Sequence, residues 1–271
     1  MDAPHTLARS PLVMVLSQVR FPREVINLKP ANAVAIDAAM NSAGFPMMKS
    51  DATASFNLGE VATLQLAGPT ESRMFFSGDL SLGVTVNPRF LSVYCVDNGA
   101  GIPYPGHEVF IERVYDVVSA LEQIVGEVIV ERLGYRYVDA LCIEDAKEVL
   151  KDPFRGAEPL LKDDTFPFSV TSTTVDAYFS NSVGQCGLGS EPPLEGVHVV
   201  CGTVVPRLVI DPAIPPKPDS RWIVDIDAYT ANGFALSGDA IRQKARQLAN
   251  MGRGIFYNRI VTERFAEKFD D

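Results

Sequence analysis

One short plan recurs within this chain, and the recurrence constrains its architecture more than any other feature. Val19-Arg20-Phe21, closing an apolar strand-like run, recurs as Tyr135-Arg136-Tyr137. The segment 90–97 (FLSVYCVD) recurs as 222–229 (WIVDIDAY), and a turn and a helix are expected after each. Those two helices are expected to end at Glu131-Arg132-Leu133 and Glu263-Arg264-Phe265. The offsets are 136 − 20 = 116, 222 − 90 = 132 and 264 − 132 = 132, so one alignment with a single insertion of 132 − 116 = 16 residues accounts for all three. A unit of strands and helices written twice predicts an α+β fold of two pseudo-repeats.

Each copy reads as a strand, a helix, an antiparallel meander and a long covering helix. In the first, residues 12–21 form an apolar strand stopped by Pro22, and the alanine-rich stretch 31–43 reads as a helix stopped by Gly44. From 52 to 97 apolar residues alternate with polar ones, with turn signals at Gly59, Gly68-Pro69, Gly78-Asp79 and Asn87-Pro88. A loop over 98–105 then leads into a helix whose Phe110, Val114, Val117, Val118, Leu121, Ile124 and Val125 form one apolar stripe. The second copy has a strand through Tyr135 and Tyr137, a short helix over 144–150, and strands near 168–179, 197–210 and 221–229. A final helix is expected from Ser237, a good N-cap, to about Lys268. The boundaries that follow are a loose tail at 1–10, a first repeat at 11–127 and a second at 128–271, fused into one globular unit. The sheets are expected to join into one curved antiparallel sheet with helices on one face, by analogy with TATA-binding-protein-like saddles and helix-grip folds. The loop 181–193, rich in Gly and Pro, would hold the extra length of the second copy.

Composition narrows the function classes. With 271 residues, 46% of them hydrophobic and 21% charged, the chain has the make-up of a folded globular protein. A net charge of −10 argues against a surface that grips nucleic acid throughout, because phosphate binding needs a positive field. No run approaches the roughly 20 apolar residues of a membrane span, and the apolar run 12–16 is too short for a signal peptide, so no membrane partner is expected. Four cysteines lack metal-ligand spacing and three sit in apolar runs, which fits buried thiols in a reducing cytoplasm. No cofactor is expected.

The candidate chemistry is sparse. Of three histidines, His5 is in the tail, His107 opens a helix, and His198 lies three residues from Cys201, so that the two point to opposite faces of one strand. Asp225 and Asp227 share one strand face with Tyr229, a spacing that would let two carboxylates hold a divalent metal for a hydrolase or nuclease, with Asp97 as a conceivable third ligand. Against this, Trp222, Val224 and Ile226 define the buried face, leaving the two acids to look at water or to meet Arg136. The Gly184–Gly189 loop lacks both the Walker lysine and a following helix, and reads as a surface loop. Arg242, Arg246 and Arg253 fall near one stripe of the final helix and could meet phosphates or an acidic partner, although a solvated outer face competes with this. No aromatic pattern accompanies them.

Four segments carry a resemblance. They are Ser10-Pro11-Leu12-Val13 through Val19-Arg20-Phe21; Arg132-Leu133-Gly134-Tyr135-Arg136-Tyr137; Val224-Asp225-Ile226-Asp227-Ala228-Tyr229; and Ile255-Phe256 through Ile260-Val261-Thr262-Glu263-Arg264-Phe265. Together they resemble a sporadically distributed family of uncharacterised bacterial and archaeal proteins of about 250 residues, with motifs R-[VL]-G-[LY]-R-Y and L-D-I-D-x-[FY]. Where that family usually has an asparagine two residues after the Tyr of the first motif, this chain has Asp139. The resemblance implies a fold and no activity. The sequence as a whole reads as a cytoplasmic, non-enzymatic binding or regulatory protein acting on a macromolecular partner, with a protein partner or a second copy of itself; a place as an accessory component of a prokaryotic defence system is what the resemblance suggests. Arg20 and Arg136 are then strand arginines that could pair with Asp225, Asp227 or Asp97. The metal-dependent hydrolase, and nucleic-acid binding through the final helix, are the alternatives.

Overall fold

The computed structural model describes residues 11–49, 56–58, 62–64, 72–96, 104–152, 154, 172–178, 194–203 and 222–269. His5, Asp97, the Gly184–Gly189 loop and most of the expected loop at 98–105 lie outside the described residues. The first half runs β1 (Leu12–Arg20), α1 (Ala33–Ser42), β2 (Met47–Lys49), β3 (Phe56–Leu58), β4 (Ala62–Leu64), β5 (Arg73–Phe76), β6 (Leu82–Asn87), β7 (Phe90–Val96) and α2 (His107–Val125). The second runs β8 (Ile129–Val130), β9 (Arg132–Leu141), α3 (Ile143–Val149), β10 (Ser172–Tyr178), β11 (Glu195–Thr203), β12 (Trp222–Thr230), β13 (Phe234–Ala235), α4 (Gly238–Ile255) and α5 (Arg264–Phe269). The fold is α+β, as the sequence predicts.

Nine strands form one antiparallel sheet in the order β10-β11-β12-β9-β1-β7-β6-β5-β2. The opening strands of the two halves, β1 and β9, lie side by side at its centre, and each half adds its own meander outward. Gln18 pairs with Gly134, and 134 − 18 = 116 is also the offset between Arg20 and Arg136. The boundary near 127 therefore separates elements in sequence without separating two cores. Val15, Val19, Leu91 and Val93 of the first half and Tyr135, Val224 and Ile226 of the second belong to one buried cluster.

The helices cover one face of this sheet. α4 lies on β9, β11 and β12, and α2 packs against β7 and α4. Because side chains alternate along a strand, Val15, Val19, Leu133, Tyr135, Tyr137, Val224 and Ile226 face the helices, and their even or odd neighbours face away. β1 is buried along almost its whole length on both faces, which is why it reads as a continuous apolar run instead of an alternating one. α4 begins at Ser237, whose Oγ accepts a hydrogen bond from the Ala240 amide at 3.2 Å, as its N-cap role requires. Glu122, near the end of α2, accepts from the Gly238 amide at 3.0 Å, so α2 helps to cap the start of α4. Gly238 is needed there: a Cβ on it would stand 2.1 Å from Ser119 Oγ and 2.9 Å from the Tyr115 ring.

Three expectations need correction. The helix α2 does not reach Glu131-Arg132-Leu133; it stops at Val125, where Gly126 takes a positive φ of 68°, and Arg132 and Leu133 belong to β9. The final helix is not continuous to Lys268, because a π-helical turn at Phe256–Ile260 and an extended Val261 separate α4 from α5. The third recurrence thus matches a strand with a helix. The second fails on register: Arg20 lies opposite Phe90 and Arg136 opposite Asp227, an offset of 227 − 90 = 137. An offset of 132 would carry Phe90 onto Trp222, from the face away from the helices to the face beneath them. The two strands match as apolar runs and not position by position.

Candidate functional site

Of the residues singled out by sequence, Arg136, Asp225, Asp227 and His198 converge on the sheet face that looks away from the helices, where β9, β12 and β11 run side by side. On β9 this face carries Arg132, Gly134 and Arg136; on β12 it carries Asp225, Asp227 and Tyr229. The two resembling motifs are therefore neighbours in space, and their alternate residues mesh. Arg136 spans the strand gap to Asp225 with both ends of its fork, donating from Nε to Oδ1 at 2.7 Å and from Nη2 to Oδ2. Only 7% of the Arg136 side chain and 16% of Asp225 is exposed, so this pair is held largely out of water. Arg132 donates from Nη2 to Asp227 Oδ2 at 2.5 Å, and its guanidinium lies 4.8 Å from the centre of the Tyr229 ring.

Gly134 lets this happen. It stands directly opposite Tyr229, and a Cβ there would come within 2.6 Å of Arg132 Nη1 and 3.1 Å of Asp227 Oδ1. The Arg132 side chain thus lies flat across a position that only glycine leaves open. On the other half of this face an aromatic ring takes the corresponding space: Gly83 stands opposite Tyr94, and a Cβ would meet the tyrosine ring at 2.3 Å. An aromatic ring over a cross-strand glycine covers the backbone that the missing side chain leaves bare.

The face is not uniformly open. Met14, Leu16, Gln18, Thr85, Ser92 and Tyr94 are buried on it, with Gln18 Nε2 donating to Ser92 Oγ at 3.0 Å. Arg132, Asp227, Tyr229 and His198 are partly accessible, and Arg20 is exposed. The register also brings in a residue that sequence reasoning set aside. His198 on β11 lies directly opposite Asp227, so Arg136, Asp227 and His198 form one row across three strands. Alternation within β11 announces which face His198 takes; its place beside Asp227 depends on register, for which the sequence carries no signal. Cys201 is on the helix side of the same strand, fully buried, and burial pushes its thiol up to about 12. The expectation that His198 and Cys201 point apart holds.

The acids expected to hold a metal are thus each taken by an arginine on the neighbouring strand. Among the described residues no cluster of three metal-ligating side chains forms. The arginines of the final helix are also occupied. Arg246 pairs with Glu108 at 2.7 Å; Arg242 pairs with Asp239 at 2.6 Å and Glu112 at 3.5 Å, and its guanidinium lies 4.3 Å from the Tyr115 ring. Arg253 Nη1 lies 3.2 and 3.3 Å from the two ring nitrogens of His107. Burial, and then the Arg253 charge, hold the His107 pKa below its ordinary value. The basic stripe faces the acids of α2 and seams the two helices together along a line that stays partly open to solvent.

One further group was flagged by sequence only as a departure from a motif. Asp139 is 6% exposed, and its pKa is pushed up to about 7 by burial. It faces the helix side of the sheet, opposite Val224. No protein-family model matches the chain, and no curated protein sequence is significantly similar to it.

Proposed function

We propose that this chain is a non-enzymatic binding or regulatory protein that acts on a macromolecular partner. The observation that carries this reading is the cross-strand pairing of Arg136 with Asp225 and of Arg132 with Asp227. A two-carboxylate metal site needs acids whose lone pairs are free to coordinate, and guanidinium partners both occupy those lone pairs and repel a cation. The hydrolase reading loses its ligands in this arrangement. The nucleic-acid reading is weakened in the same way, since Arg242 and Arg246 of α4 are matched by Glu108 and Glu112 of α2. A scaffold in which these four arginines and their acids satisfy one another suits a protein that works by shape and surface.

The test combines two measurements. Titrating Mn²⁺ or Mg²⁺ into the protein is expected to leave its melting temperature unchanged, and purification from native cells is expected to bring down a macromolecule in fixed stoichiometry. Metal-dependent hydrolysis that disappears in Asp225→Asn while the variant keeps its melting profile would overturn the proposal.

A further inference from the structure

We propose that Arg20 and Arg132 form a binding site for a phosphate-type oxyanion, at the end of the sheet where β1 and β9 run together. This goes beyond the reading above and does not depend on which macromolecule is the partner. The two arginines are directly opposed in the antiparallel ladder, so their side chains leave the same face about 5 Å apart at Cβ. Like charges in that position repel, and an anion lying between them relieves the repulsion. Among the described residues, the ladder neighbours of Arg20 on this face supply none. Its other ladder partner is the buried Phe90, the next position along β1 is Gln18, whose amide donates to Ser92, and the next along β9 is Gly134. The nearest carboxylate along the ladder, Asp227, is held by Arg132.

The two arginines differ in a way that suits a binding site. Arg132 is a fixed arm, oriented by Asp227, by the Tyr229 ring and by the flat path over Gly134. One of its donors goes to Asp227, and a guanidinium has five. Arg20 is the exposed arm, free to close on a ligand. A single fork saturates a planar carboxylate, whereas a tetrahedral oxyanion has oxygens to spare for two forks approaching from adjacent strands. The geometry therefore selects a phosphate group over a carboxylate. It also gives the first of the candidate binding arginines a task that Arg136, Arg242, Arg246 and Arg253 do not share, because those four face partners within the fold.

Calorimetric titration at low salt with inorganic phosphate and, separately, with AMP distinguishes a free phosphate from a phosphate carried on an organic group. Saturable binding of either, weakened by at least about tenfold in Arg20→Ala and unchanged in Arg113→Ala on the outer face of α2, is the expected result. Because loss of binding could reflect a damaged fold, Arg20→Glu provides the second reading. It replaces a repelling pair with an attracting one, so it is expected to raise the melting temperature while abolishing the phosphate effect. The proposal is overturned if neither ligand binds at millimolar concentration, if Arg20→Ala binds like the wild type, or if Arg20→Glu lowers the melting temperature.

Discussion

Asp139 shows how much one buried atom group can weigh. Its pKa rises from an ordinary aspartate value to about 7 because burial disfavours the charged form. Between about pH 4 and pH 7 the unfolded chain has lost this proton while the folded chain keeps it, so stability falls as pH rises through that window and levels off above it. Asp139→Asn keeps the shape and removes the titration. It is expected to stabilise the protein at pH 8 by about 2–4 kcal/mol and to flatten the pH dependence of the urea midpoint between pH 5 and 8. A variant less stable than wild type at pH 8 would contradict this. Sequence revealed the departure at Asp139; it could not reveal burial on the helix side, because position within a strand says nothing about what covers it.

At the scale of the element, the pairing of β9 with β12 is the feature that two sequence motifs jointly encode. Each motif alternates, Arg-x-Gly-x-Arg on one strand and Asp-x-Asp-x-Tyr on the other, and each places its apolar residues beneath the helices. The charged residues pin the register, since a slip of one residue would put them into the core. Removing one side of the Arg136–Asp225 pair leaves a charge stranded in a nearly dry position. Asp225→Asn or Arg136→Met alone is expected to cost about 3–5 kcal/mol in urea unfolding, and the double variant about as little as, or less than, either single one. Equal and additive losses would show that the pair does not act as a unit. The alternation and the apolar faces of both strands were legible in the sequence. The partner of each acid was not, because Arg136 pairs with Asp225 on the diagonal while the residue directly opposite it is Asp227. The recurrence of 90–97 in 222–229 misled for a related reason. β7 is buried on both faces in the sheet centre, so its apolar run fits β12 at either parity.

At the scale of the whole molecule, the two halves unite through β1 and β9. Neither half closes its own core: the sheet is continuous and α2 packs on α4 across the boundary. The protein is expected to unfold in a single urea transition, with amide exchange slowest in β1 and β9 and fastest in the edge strand β2. Two transitions, with the β10–β12 side exchanging separately from the β5–β7 side, would contradict a shared core. The basic residues of α4 belong to the same scale of argument. Read along one helix they suggest a surface for phosphates; set against α2 they become half of a helix seam.

The sequence by itself determined the α+β class, the apolar stripe of α2, the N-cap of α4 and the alternation of β12. These follow from local rules: side-chain period, capping groups and chain-stopping glycine and proline. Only the tertiary structure decided where α2 ends relative to β9, which acid each of Arg132 and Arg136 meets, that His198 stands beside Asp227, and that Arg20 faces Arg132. Each of these depends on register between strands that are distant in the chain. Register is set by the packing of whole faces and not by any short run of residues.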